Sequence, residues 1–156
     1  MEEAKELPPL PSLLALHRYY IWANRHREYF FRAALKDQGD RPMTALTVFA
    51  DDAMMFMSYW YAGLYVVVEG WGELRLNDPK VDELLESPHV DLLRRYRNGV
   101  CHYQREYADP RFLDMISAQG VVPWVQDLNQ AFGSYFMQRL KEDPDGWLAK
   151  MGHPTC

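Results

Sequence analysis

The chain has 156 residues, 48% of them hydrophobic and 14% aromatic, and a formal net charge of −5. That is enough chain and apolar surface for one domain with a real core, and it excludes a disordered tail. The acidic balance argues against a protein that coats nucleic acid without specificity, while leaving room for a local basic site.

The opening segment, Met1 to Glu6, is charged and runs into Pro8-Pro9-Leu10-Pro11, unlike the basic start and apolar stretch of a secretory signal. Residues 1–11 read as a lead-in. Ser12 is placed to cap a first helix running from about Leu13 to Lys36, whose apolar positions Leu13, Leu16, Tyr20, Ala23, Phe30 and Ala34 approximate a helical period. Gln38-Gly39-Asp40 closes it. Pro42 suits the first turn of a second helix that runs to about Glu69 and ends at Gly70-Trp71-Gly72.

That second helix holds the longest uncharged run, the 16 residues from Ala53 to Val68, short of the roughly 20 that a membrane span needs. It is apolar almost all round, with Met54, Met55, Phe56, Met57, Trp60 and Leu64. Such a helix is central in its bundle or covered by a partner. Asp51-Asp52 read as solvated or cap-like charges.

A linker with Asn77-Asp78-Pro79 precedes a short helix from Lys80 to Glu86. Ser87 as cap and Pro88 at the first helical position then start a third long helix, running to about Tyr107. Asp109-Pro110 breaks it, Arg111 to Ser117 forms a brief helical turn, and Gly120 ends that piece. A fourth long helix runs from about Pro123 to Lys141, and Pro144, Gly146 and Gly152 mark a tail over 142–156. Val66-Val67-Val68 is β-prone but sits inside a helical run. The expectation is an all-α fold, an antiparallel four-to-five-helix up-and-down bundle over residues 12–141.

Chemistry concentrates in Arg97-Asn98-Gly99-Val100-Cys101-His102. With Tyr96 as zero, Leu92, Leu93, Val100, Tyr103 and Tyr107 fall within roughly 60° and form a core stripe. Arg94, Asn98, Cys101, His102 and Arg105 continue around the opposite, polar face, with Arg97 to one side. From His89 to Arg111 five arginines stand against Asp91, Glu106 and Asp109, a mild basic patch. Arginine stabilises phosphate charge, and histidine is the side chain that moves protons near neutral pH.

Arg97 and His102 are roughly 140° apart around the helix and roughly 7.5 Å apart along it, so one chain does not bring them together. A two-fold dimer with this face near its axis would gather two of each in one cleft. One histidine could then take the ribose 2′-OH proton and the other protonate the leaving 5′-oxygen, while the arginines hold the scissile phosphate. No metal is needed, and DNA lacks the internal nucleophile. The ordinary alternative is a solvated helix face with ion pairs to Asp91 or Glu106.

The R-N-x-x-x-H spacing on the third long helix of an all-α bundle resembles the HEPN superfamily (higher eukaryotes and prokaryotes nucleotide-binding). The resemblance implies a metal-independent endoribonuclease acting as a homodimer in toxin–antitoxin, phage-defence or RNA-processing roles. Arg97 and His102 would be catalytic and Asn98 accessory, with Arg94 and Arg105 contacting RNA. An antitoxin protein would be a further partner. It also admits a bundle that binds nucleotide, RNA or protein without cleaving. Toxin members paired with a nucleotidyltransferase often carry a tyrosine two residues after the histidine; here that position is Gln104, and Tyr103 adjoins the histidine.

No cofactor or metal is expected. His17 and His26 are nine residues apart, on opposite sides of the first helix, and the chain has no zinc spacing, Glu-x-x-His pair or phosphate-binding glycine loop. Trp22, Trp60, Trp71, Trp124 and Trp147 could stack bases, but tryptophans in a helical bundle are more often core, and these read as core. Cys101 and Cys156 read as free thiols in a reducing, cytoplasmic compartment.

Overall fold

A computed structural model describes residues 8–36, 44 and 47–142. Those residues form six α-helices, one 3-10 turn and no strand, in the order α1 (Leu10–Lys36), the turn Val48–Ala50, α2 (Asp52–Glu73), α3 (Pro79–Leu85), α4 (His89–Cys101), α5 (Pro110–Ser117) and α6 (Val121–Lys141). The protein is all-α. Gln38-Gly39-Asp40, Pro42, Trp147 and the turn residues of the tail lie outside the described residues.

Aspartates start three of the helices. The Asp51 carboxylate accepts from the Ala53 N–H, Asp78 from Lys80 and Val81, and Asp109 from Arg111. Asp78 and Asp109 are each followed by a proline at the first helical position, where its missing N–H costs nothing. Asp51 is thus a cap rather than a solvated charge. Ser12, expected as the cap of α1, lies inside it. The Pro9 carbonyl accepts from Ser12 and Leu13, so the helix starts at Leu10 with Pro11 in its first turn.

The end of α2 also differs from expectation. Gly70-Trp71-Gly72 does not stop the helix, because Trp71 is buried against Phe132 and Tyr135 of α6 and its indole N–H donates to Asp82. Tertiary packing outweighs the glycines' low helix propensity. The helix closes three residues later with Arg75 at φ 50, the Arg75 N–H on the Gly72 carbonyl and the Leu76 N–H on the Trp71 carbonyl. This is a Schellman arrangement with arginine where glycine is usual.

α2 is the central element. On one side it meets α1, with ring contacts His26–Tyr59 and Tyr29–Phe56 and close backbone approach at Gly63, where an added Cβ would stand 3.1 Å from that of Ala23. On a second side Ser58 shares a 2.7 Å hydrogen bond with the Tyr96 hydroxyl of α4. On a third the Trp60 indole N–H donates to the Asn129 side-chain oxygen of α6 at 2.9 Å. The Asn129 amide in turn donates to Asn24 of α1 at 3.1 Å. One connected polar chain inside the apolar core thereby fixes the relative positions of α1, α2 and α6.

Arg75→Gly should stabilise the fold by about 0.5–1 kcal/mol, since a left-handed residue with a Cβ is strained; urea denaturation measures it. A second prediction concerns alkali. Burial pushes the Tyr61 hydroxyl up to about 12, and raises those of Tyr96 and Tyr20 as well. Unfolded phenols ionise near 10. Stability should therefore be full below about pH 10 and fall as pH rises toward 12. Tyr61→Phe should make that fall shallower in a pH series of melting curves.

Candidate functional site

The sequence motif spans the C-terminal end of α4, and the helix stops sooner than its periodicity suggests. α4 ends at Cys101, not near Tyr107, and His102 leaves it on extended backbone (φ −127, ψ 137) while its N–H still donates to the Asn98 carbonyl at 3.1 Å. Packing against α5 accounts for the early stop. The Phe112 ring lies edge-on to Tyr96 at 5.6 Å and covers Gly99, where an added Cβ would sit 3.1 Å from the ring. The chain must turn back after Cys101 for α5 to take that place. Tyr103 and Tyr107, expected in the core stripe, are instead exposed, Tyr103 at 92%. Leu93 and Tyr96 are buried as expected.

The turn is held by a bracket not anticipated from sequence. The Gln104 side-chain amide donates to the His102 carbonyl at 2.8 Å and to the Asn98 carbonyl at 3.4 Å, satisfying backbone acceptors at the end of α4. Its oxygen accepts from an Arg111 guanidinium nitrogen at 2.8 Å, and the same nitrogen pairs with the buried Asp109 carboxylate at 3.0 Å. Gln104 is therefore a structural brace rather than an empty place for a tyrosine. The sequence signal for it was a polar residue just past a helix end that contains no glycine or proline after Gly99.

The candidate site residues divide between two environments. His102 is exposed, and Arg105 is exposed on the segment that follows. Arg97 is only 20% exposed; it forms an ion pair with Glu69 of α2, and its guanidinium carbon lies 5.1 Å from the centroid of the Tyr65 ring. Its Nε is buried without a hydrogen-bond partner. The acid partner is neither Asp91 nor Glu106 but Glu69, the first charge after the uncharged run of α2. Asn98 is half-buried and contributes its carbonyl to the helix end.

The basic patch is largely neutralised. Arg94 pairs with Asp91 at 2.6 Å, Arg95 with Asp114 at 2.9 Å and Arg111 with Asp109, in addition to Arg97 with Glu69. Hydrogen bonding to the Asp91 carboxylate raises the Arg94 pKa still further, so this side chain stays cationic.

Elsewhere the histidines go separate ways. His17 packs on Phe136, and burial lowers its pKa, while the His26 Nδ1 bonds the Trp22 carbonyl. No three His, Cys, Asp or Glu side chains converge among the described residues. Cys101 is exposed with a free thiol. A surface cleft of about 320 Å³ between α3 and α6, lined by Asp78, Lys80, Asp127, Ser134 and Tyr135 among others, includes none of the motif residues. No helix among the described residues is long and apolar enough to cross a membrane. Comparison with protein-family models, curated proteins and solved structures finds no match to this chain.

Gln104→Ala should free the turn after α4 at a cost of about 1 kcal/mol, the net worth of a side-chain hydrogen bond in a partly exposed site. Hydrogen exchange should show faster exchange over residues 102–109, with protection of α2 unchanged.

Proposed function

We propose that this chain is a metal-independent endoribonuclease of HEPN type, an antiparallel bundle that acts as a cytoplasmic homodimer. The observation that carries the reading is the placement of His102: an exposed imidazole leaving α4 on a braced turn, five residues beyond an arginine anchored on α2. In the dimer one His102 removes the ribose 2′-OH proton, the 2′-oxygen attacks phosphorus, and the P–O5′ bond breaks as the second His102 protonates the leaving oxygen. The products are a 2′,3′-cyclic phosphate and a 5′-hydroxyl. Arg97 stabilises the negative charge on the non-bridging phosphate oxygens, Asn98 assists, and Arg94 and Arg105 contact the RNA backbone. A toxin, phage-defence or RNA-processing role, with an antitoxin partner in the first case, agrees with this chemistry.

A second reading draws on the Glu69 ion pair. With its guanidinium engaged by Glu69 and stacked on Tyr65, Arg97 ties α2 to α4. On that reading the chain is a non-catalytic bundle that binds nucleotide, RNA or a protein partner.

Cleavage of an RNA panel by purified protein in EDTA separates the two. The nuclease reading expects cyclic-phosphate ends, at least a hundredfold loss in His102→Ala, and an unchanged melting temperature, because the ring is exposed. Glu69→Gln should cleave at least as fast as the parent, since the carboxylate competes with phosphate for Arg97. Absence of cleavage, with Glu69→Gln only lowering the melting temperature by a few degrees, would decide for the structural reading.

A further inference from the structure

α1 carries a charge and ring pattern that no part of the α4 chemistry uses. In a chain of net charge −5, its residues 10–36 hold four arginines and a lysine against the single acid Glu28. On the side away from the core, Arg18, Trp22, Arg25, Tyr29, Arg32 and Lys36 follow one another at alternating spacings of four and three, so cations and aromatic rings alternate along one stripe. All six are exposed, and Trp22, expected in the core, is 54% exposed. Arg18 lies over the Trp22 ring at 5.4 Å and Arg32 over Tyr29 at 6.0 Å, while Arg25 pairs with Glu28. The rings continue across the seam onto α2 through His26 and the half-exposed Tyr59, whose centroids are 5.6 Å apart.

We infer that this face of α1 is a docking surface for single-stranded RNA. Alternating cations and exposed rings meet the two needs of a single strand, phosphate neutralisation and base stacking. Charge decides against a second copy. Two α1 stripes laid face to face would set Arg18, Arg25, Arg32 and Lys36 against the same four cations. The patch differs from the α4 surface, where carboxylates already hold most arginines: Arg18 and Arg32 engage rings, which leaves their charge available. The choice of RNA over DNA rests on the proposed ribonuclease reading; the stacking and charge arguments do not.

The test is equilibrium binding of a fluorescein-labelled, 2′-O-methylated single-stranded oligouridylate of about twelve nucleotides. This probe cannot be cleaved by 2′-OH attack, so binding is read whether or not the chain is a nuclease. Full-length protein should bind it with a log–log salt slope near −3, as about four phosphate contacts require. Trp22→Ala should weaken binding about tenfold and Trp22→Tyr should restore most of it. Arg18→Glu with Arg32→Glu should weaken it at least tenfold and flatten the salt slope. Circular dichroism checks that these surface variants fold. Any of three results would overturn the inference: unchanged affinity in the stripe variants, equal binding of the probe annealed into a duplex, or a protein dimer in sedimentation that the stripe variants dissolve. Failure of cleavage with binding intact would sink only the nuclease reading.

Discussion

The structure depends on covering α2. Trp60, Leu64, Val67 and Trp71 form one buried stripe of α2, and leaving it to water would cost roughly 1.5–3 kcal/mol per large side chain. Contacts from α1, α4 and α6 each take one side. The few polar groups buried there are joined together. Trp60, Asn129 and Asn24 form one chain of donors and acceptors, and Ser58 with Tyr96 another. Each pair is long-range in sequence, so these bonds select which helix faces which, a discrimination that apolar packing by itself leaves loose.

The same constraint shapes the end of α4. Tyr96 is fully buried between Tyr61 of α2 and Phe112 of α5. Phe112 reaches that position only because Gly99 has no side chain and the chain reverses beyond Cys101. Had α4 continued to Tyr107, His102 would sit on a helix face whose orientation is fixed by the core. Instead its direction is set by the Gln104–Arg111–Asp109 bracket, a group of partly exposed hydrogen bonds. Arg97, by contrast, is fixed by α2. The two residues joined by the motif therefore answer to different parts of the fold: His102 can shift with the turn while Arg97 stays with the core.

How far the sequence discloses this follows from the range of each interaction. Capping by Asp51, Asp78 and Asp109 is local, and the starts of α3 and α5 are legible from an Asp-Pro pair alone. The central position of α2 follows from its composition. What could not be read are decisions made by distant partners: α2 continuing through two glycines because Trp71 has a pocket on α6, α4 stopping without a breaker because α5 packs on Gly99, and Glu69 rather than a neighbour on α4 taking Arg97. The tryptophans show the same division. Trp60, Trp71 and Trp124 are buried with their indole N–H groups bonded, whereas Trp22 lies on the far side of α1 from Leu16 and Ala23. Its exposure was implicit in its position relative to that apolar stripe, and the general tendency of tryptophan toward burial concealed it.

Charge is distributed as unevenly as hydrophobicity. The arginines of α4 and α5 meet carboxylates of α2, α4, α5 and the turn before α5, so an incoming phosphate there must exchange with an acid already in place. Such an exchange trades one ion pair for another and yields little net affinity from charge alone. Geometric preference must supply the difference: a phosphate offers a planar guanidinium more acceptor directions than Glu69, and the trigonal-bipyramidal transition state of the proposed cleavage, with more charge on its equatorial oxygens, would hold it more strongly still. A site built this way discriminates well and attracts weakly. Long-range attraction must come from cations whose charge is not already cancelled, and among the described residues Arg18 and Arg32 of α1, which lie over aromatic rings, are such cations. On the proposed RNA reading, attraction by α1 and discrimination at α4 are separate tasks, and that division would let a chain with an acidic balance approach a polyanion.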